Sequence, residues 1–356
     1  MNNKKYDIFI YGAYGFTGKL ICEKFAESND KLNIIVGGRN ELETKNLAEK
    51  LNFEYVVASI DEKEKLINIL KETTLLINCA GPFKYTAQFM MNACIENKCH
   101  YVDITGEKDV FNLGISLHEK AEKAGVMIMP GVGFDVVPTD CMSLFLKNKL
   151  PDATHLELAF KGLGVLSRGT ALTAAEGMSE PSYIRENGKL KAIDLGSVAK
   201  KITFANKKTY DCVAIPWGDV VTAYYTTQIP NIKVFIPMPK SNIKTLKFTK
   251  YLPNLIKNIF AFFLKKYIRK NIKGPTEKML KEGKTMVYGK AYNEEKSIVA
   301  HIDTPDGYWL TMLSTYQISK NIIDGKWKKG YQTPALIYGE NFIEELSNNS
   351  FKILKN

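Results

Sequence analysis

The sequence contains no C-x-x-C pair, and its four histidines do not cluster with its six cysteines. A structural zinc site and a disulfide framework are therefore not expected. Cys22, Cys79, Cys94, Cys99, Cys141 and Cys212 read as reduced thiols of a cytoplasmic protein, and no metal is expected. The N-terminal stretch MNNKKYDIFIYG lacks an apolar h-region and a small-residue cleavage site, so a secretory leader is not expected. No apolar run reaches the ~20 residues that span a bilayer. Repeats and low-complexity tracts are also lacking. Negative charge is scarce in one place: residues 231–290 hold fifteen Lys or Arg against Glu277 and Glu282. That segment carries +13 of a net +11, which leaves −2 for the rest of the chain, so the basic character is local. No nucleic-acid-reading motif accompanies it, and a nucleic-acid partner is not expected.

What is present fits a two-domain globular chain. There are 356 residues, 45% hydrophobic and 24% charged, and domains hold about 100–200 residues each. Short apolar runs predict strands over 7–11, 33–37, 54–58, 75–78, 100–103 and 126–129. Amphipathic stretches between them predict helices over 16–28, 41–51, 62–71, 87–97 and 109–124. This alternation predicts an α/β fold, a doubly wound parallel sheet with helices on both faces, over residues 1–130. The Gly- and Pro-rich run MPGVGFDVVPTD (129–140) reads as a crossover, followed by a helix over 139–149. Residues 131–305 predict an α+β domain, with strands at 222–229, 233–237, 285–292 and 297–302. Residues 306–356 are expected to return as helices to the first domain. Asp306 caps one helix to about 319, and Thr333 with Pro334 opens the last.

The strongest motif is Gly12-Ala13-Tyr14-Gly15-Phe16-Thr17-Gly18, which follows a strand and opens a helix. Its first glycine permits a tight turn, its second lets backbone N–H groups reach a pyrophosphate, and its third lets helix and strand pack. The helix N-terminus adds free donors and a positive dipole end. The second strand ends in Gly37-Gly38-Arg39. An acid to hold a ribose 2′-hydroxyl is missing there, and Arg39, with two glycines opening space before it, suits a 2′-phosphate. These features predict NADP(H) as cofactor. The plainer reading leaves Arg39 on the surface, paired with Glu41 or Glu43.

The fourth strand ends in Asn78-Cys79-Ala80-Gly81-Pro82, small residues at the switch point of the sheet, where the nicotinamide half is expected. The fifth carries Tyr101 and Asp103 on one face, with Glu107 beyond. Tyr101, Asp103 and Tyr85 are candidate proton donors. Alternatively, Asp103 or Glu107 caps the helix that follows.

Taken in order and spacing, GAYGFTG, GGR, NCAGPF, YVDITGE and MPGVGFDVVPTD resemble the saccharopine dehydrogenase-like oxidoreductases. The likeness is greatest to the branch holding the trans-acting enoyl reductases of lipid biosynthesis. It covers residues 6–180 and returns at DGYWLT (306–311) and GYQTPALIYG (330–339). It implies an NADP-binding Rossmann domain, a second domain inserted before the final helices, and a homodimer formed through that second domain. It also implies that Gly12, Gly15, Phe16, Thr17, Gly18, Arg39, Ala80, Gly81 and Pro82 line the cofactor, with Tyr14 and Cys79 completing the two turns. Within Ser167-Arg168-Gly169-Thr170, Arg168 and Thr170 would face the substrate, with Arg168 set against an anionic group. The likeness fades over 190–300, the part that chooses the substrate. The expected function is an NADP(H)-dependent oxidoreductase of a lipid-like or acyl substrate, of enoyl reductase type. The alternatives are a saccharopine-type amino-acid dehydrogenase and a catalytically silent NADP(H)-binding protein.

Residues 251–273, YLPNLIKNIFAFFLKKYIRKNIK, join an aromatic apolar run to a basic one. On a helical wheel the basic residues do not gather on one face. Three readings stand: a solvated domain helix, a surface for anionic lipid that would hold the protein peripherally at a membrane, or a dock for an acidic acyl carrier protein.

Overall fold

The computed structural model describes residues 4–28, 30–162, 167–177, 181–249, 251, 254–272 and 274–354; the side chains of 168, 173, 174, 176, 177, 249 and 254–261 lie outside that description. The chain divides into two compact units, Met1–Val137 with Tyr308–Ile337, and Pro138–Gly307 with Tyr338–Asn356.

In the first unit, strands β1 (Tyr6–Tyr11), β2 (Ile34–Gly38), β3 (Glu54–Val57), β4 (Thr73–Asn78), β5 (His100–Asp103) and β6 (Met127–Met129) alternate with helices. The helices are α1 (Phe16–Glu27), α2 (Glu41–Leu51), α3 (Lys63–Lys71), α4 (Phe83–Glu96), and α5 (Lys108–Ser116) followed by α6 (His118–Ala124). With β15 (Gly330–Tyr331) the sheet runs β15-β6-β5-β4-β1-β2-β3, every pair parallel. The order reverses between β1 and β4, so a crevice opens beyond their carboxyl ends. Ile8, Phe9, Ile10, Leu75, Leu76, Ile77 and Val102 are fully buried, which is why these strands read as unbroken apolar runs. Helix α1 turns Gly18, Ile21, Cys22 and Phe25 inward, a stripe at helical spacing.

Two helices differ from their sequence-based bounds. Helix α4 starts at Phe83, four residues before 87, because a capping group from outside the segment supports its first turn. The stretch 109–124 is two helices that meet at Leu117. Helix α13 (Gly307–Ile323) also belongs to this unit. It steadies the chain after β6: Phe134 N–H donates to Thr311 Oγ1 (2.9 Å), and Ser314 Oγ donates to Val132 O (2.6 Å). The short α14 (Pro334–Tyr338) begins at the expected Pro334.

The second unit is a mixed sheet. Parallel neighbours β7 (His155–Gly162) and β12 (Asn231–Pro237) form its centre. Beyond β12 lie β11 (Thr209–Ala214) and β10 (Ala199–Thr203); beyond β7 lie β13 (Lys284–Tyr292), β14 (Ser297–Pro305) and β16 (Lys352–Leu354). A hairpin of β8 (Ser182–Glu186) and β9 (Lys189–Ile193) attaches to β12. The helices are α7 (Val137–Lys149), α8 (Arg168–Gly177), α9 (Asp219–Thr227), α10 (Lys240–Thr249), α11 (Asn254–Asn271), α12 (Glu277–Glu282) and α15 (Phe342–Ser347).

The strand expected over 222–229 is therefore wrong, since that stretch lies largely in α9. Val220, Val221, Thr222, Ala223, Thr226 and Thr227 are buried and Tyr224 and Tyr225 half-buried; the β-branched and aromatic residues favour a strand locally, and packing overrides that preference. Gln228, in the left-handed region (φ 59°), ends the helix. The grouping of 306–356 differs as well. Tyr338–Asn356 goes with the second unit, where β16 pairs with β14 and satisfies the backbone groups of its edge.

Candidate cofactor site

The glycine turn leaves β1 at Gly12, whose φ of +80° favours glycine. A Cβ on Gly12 would lie 2.7 Å from Ala80 N, and one on Gly18 would lie 2.5 Å from Gly12 O. The protein's own packing thus demands both residues. Gly15 differs: a Cβ there meets only Gly12 O, at 3.1 Å, and nothing else within 4 Å. Gly15 is also the N-cap of α1, which has no side-chain cap and no acid in its first turn. An open glycine beside uncapped N–H groups is a cradle that fits a pyrophosphate. Phe16 packs edge-on against Tyr308 of α13, centroids 5.1 Å apart. This contact brings the DGYWLT string beside the turn. Thr17 is half-buried in the first turn of α1.

At the end of β2 the two glycines do not open space. A Cβ on Gly37 would strike the Phe9 ring (2.5 Å), and one on Gly38 the Tyr14 ring (2.4 Å). They are glycines so that two aromatic rings can pack over the strand. Arg39, next in the chain, is exposed. Among the described residues neither Glu41 nor Glu43 forms an ion pair with it. Asn40 accepts from Glu43 N–H (3.1 Å) and caps α2.

The β4 turn is braced from beneath. Asn78 is buried; its Nδ2 donates to Thr86 Oγ1 and to Tyr101 OH (both 3.2 Å), and its Oδ1 accepts from Ala80 N–H (3.1 Å). The Gly81–Pro82 bond is cis. The Cys79 thiol is pushed up, first by burial and then by the nearby Asp103.

Tyr101 and Asp103 do share a face, and they meet: Tyr101 OH donates to Asp103 Oδ2 (2.7 Å). Asp103 Oδ1 accepts from Thr105 N–H (3.0 Å) and Gly131 N–H (2.9 Å). Both side chains are 0% exposed, so the pair ties three strand-end turns together from inside the protein. Burial pushes the Asp103 carboxyl up to about 7 against the pull of those hydrogen bonds. Tyr85, by contrast, is 66% exposed in the first turn of α4.

Glu107 caps a helix, but not the one that follows it. Its Oε1 accepts from Phe83 N–H (2.9 Å) and its Oε2 from Lys84 N–H (2.8 Å), the first two donors of α4 after Pro82, which has none. This carboxylate is the outside group that starts α4 early.

Sequence reasoning passed over Asp135. It lies half-buried beyond β6. Glycine is needed at 106 to admit it, since a Cβ there would lie 2.7 Å from Asp135 Oδ2. Burial, and then Glu107, push its carboxyl up to about 7. It sits in an irregular loop with no periodicity to mark it, although it belongs to the string GVGFDVVPTD. In the second unit, Ser167 Oγ accepts from Thr170 N–H (3.2 Å) at the start of α8, and Thr170 Oγ1 lies 3.1 Å from it. The Arg168 side chain lies outside the described residues.

A doubly wound sheet with an open glycine turn at its switch point defines a Rossmann-type dinucleotide-binding domain. Residues 8–129 match the saccharopine dehydrogenase NADP-binding domain family. The N-terminal unit is thus similar to that family, and the match supports a nicotinamide dinucleotide as its cofactor. A saccharopine dehydrogenase-like oxidoreductase of Rattus norvegicus is 30% identical over 165 residues, 41% of this chain and 38% of the rat protein. The alignment thus spans well under two thirds of that relative's length. A trans-acting enoyl reductase of Mycobacterium leprae is 30% identical over 39% of this chain and 35% of its own. Among solved structures, the L-Glu-forming saccharopine dehydrogenase of Saccharomyces cerevisiae superposes with a TM-score of 0.69 at 13% identity, covering 98% of this chain and 100% of that one. At that identity the likeness is one of fold.

Proposed function

We propose that the chain is an NADPH-dependent oxidoreductase acting on a lipid-like or acyl substrate, with an activated double bond as the group reduced. The observation that carries the cofactor half is the uncapped N-terminus of α1 beside open Gly15, with exposed Arg39 where an NAD site would hold an acid. In this reading the turn Gly12–Gly18 holds the pyrophosphate, and exposed Arg39 holds the 2′-phosphate. Ala80, Gly81 and Pro82 pass beneath the nicotinamide half. NADPH, when bound, supplies the hydride.

Asp135 holds the proton that completes the reduction. Its carboxyl, pushed up to about 7 first by burial, carries a proton over part of the working range. Tyr101 and Asp103 act as positioning residues, because both are buried and bonded to each other. The acyl substrate rests on the likeness to the enoyl reductase. The free cysteines fit a cytoplasmic protein. Among the described residues, no helix is long and apolar enough to cross a membrane.

A second reading is a protein that holds NADP(H) without turnover, favoured by the burial of the Tyr101–Asp103 pair. Two measurements separate these readings. Fluorescence titration should show tighter binding of NADPH than of NADH, and Arg39→Asp should erase the preference, a loss of ~1–3 kcal/mol. Equal affinity of the wild type for both cofactors refutes the 2′-phosphate assignment. Deuteride transfer from labelled NADPH to 2-enoyl thioesters tests turnover. Tight NADPH binding with no transfer to any acyl substrate supports the silent reading.

A further inference from the structure

Helix α11 presents two unlike faces in its described part. Leu264 and Ile268, with Ile272 just past the helix end, recur every four residues and pack with Ala171 and Ala175 of α8, Ile268 being 4% exposed. The other face is built from a mixture. Phe262, Phe263 and Tyr267 are 63%, 61% and 62% exposed, and Lys266, Arg269 and Lys270 are exposed among them. At 100° per residue Phe262, Phe263, Lys266 and Lys270 point roughly 120–160° around the helix from Ile268. The wheel of the bare sequence missed this grouping, because it did not say which stripe is buried.

Among the described residues Lys266, Arg269 and Lys270 form no ion pair. From residue 233 to residue 273 the sequence holds eleven Lys or Arg and no acid. Water-exposed aromatic rings clustered on one helix face are costly unless something covers them. What covers them must also be negatively charged.

We propose that this face of α11 docks on an anionic phospholipid bilayer. Rings interleaved with cations on a convex helix match a headgroup layer. The rings enter among the upper acyl carbons while the long Lys and Arg stems extend to the phosphates. A folded acidic partner would need preformed pockets for three rings, whereas a bilayer yields to them. The inference stands apart from the oxidoreductase reading, since NADPH affinity is measured separately.

Vesicle flotation tests it with the full chain. The wild type should float with phosphatidylglycerol-containing vesicles, should not float with pure phosphatidylcholine, and should be released by added salt. Lys266→Gln with Arg269→Gln and Lys270→Gln should lower partitioning about a hundredfold, near fivefold per cation removed. Phe262→Ser with Phe263→Ser should lower it at unchanged charge. Lys266→Arg with Arg269→Lys and Lys270→Arg should bind as wild type, which controls for folding, and all variants should keep NADPH affinity. Equal flotation with neutral and anionic vesicles, no flotation with either, or Gln and Ser variants that bind as wild type would each overturn the proposal. Retention by an acyl carrier protein without flotation would overturn it in favour of protein docking.

Discussion

Tyr101→Phe separates a positioning role from a chemical one. The change deletes one oxygen from a fully buried site. That oxygen donates to Asp103 Oδ2 at 2.7 Å and accepts from Asn78 Nδ2 at 3.2 Å. Asn78 keeps Thr86 as an acceptor, so its loss is partial. Asp103 Oδ2 loses a donor in the interior, and a buried hydrogen bond to a charged group is worth about 1.5–3 kcal/mol. The melting temperature should fall by roughly 3–12 °C.

The penalty depends on pH with a definite sign. Burial already holds Asp103 up to about 7, and the Tyr101 hydroxyl pulls it down. A carboxyl raised above its unfolded value near 3.9 favours the fold fully below that value, and this contribution is lost as pH rises through about 7. Without the hydroxyl the folded value rises further. The variant should therefore lose more stability at pH 8 than at pH 5. Calorimetry at the two pH values, with NADPH affinity and turnover measured alongside, checks this. If turnover falls by about 10²–10⁴-fold while the melting temperature holds, Tyr101 is a proton donor and the reasoning fails.

Gly15→Val should abolish NADPH binding and leave the circular dichroism spectrum largely unchanged, because the branched side chain enters the space beside the uncapped N–H groups of α1; retained affinity would place the cofactor elsewhere. Glu107→Ala should destabilise the start of α4 by about 1–2 kcal/mol, seen as faster amide exchange at Phe83 and Lys84; unchanged exchange would show that the carboxylate cap is unimportant. Asp135→Asn should remove an ionisation near 7 from the pH profile of turnover while leaving NADPH affinity near wild type. The rate should be lost on the alkaline side, where the carboxyl gives up its proton; a profile unchanged in shape would remove Asp135 from the reaction.

Much of this protein is determined by local sequence. The alternation of buried strands and one-sided helices through residue 129 needs only side-chain periodicity and turn chemistry. The glycines of the phosphate turn announce themselves because a positive φ and close backbone approaches tolerate little else. Arg39 was legible as a departure from an acid. Tertiary structure decided the rest. It filled the space at Gly37 and Gly38 with the rings of Phe9 and Tyr14, two residues that no local pattern links to them. It turned the β-branched and aromatic run at 220–227 into a helix, because packing overrides a local strand preference. It sent Glu107 back to cap α4, since a carboxylate serves whichever free N–H groups the fold brings near. It placed Tyr101 and Asp103 wholly inside and left Asp135 as a half-buried residue in the loop after β6. Reactivity follows burial, and burial is a property of the packed chain.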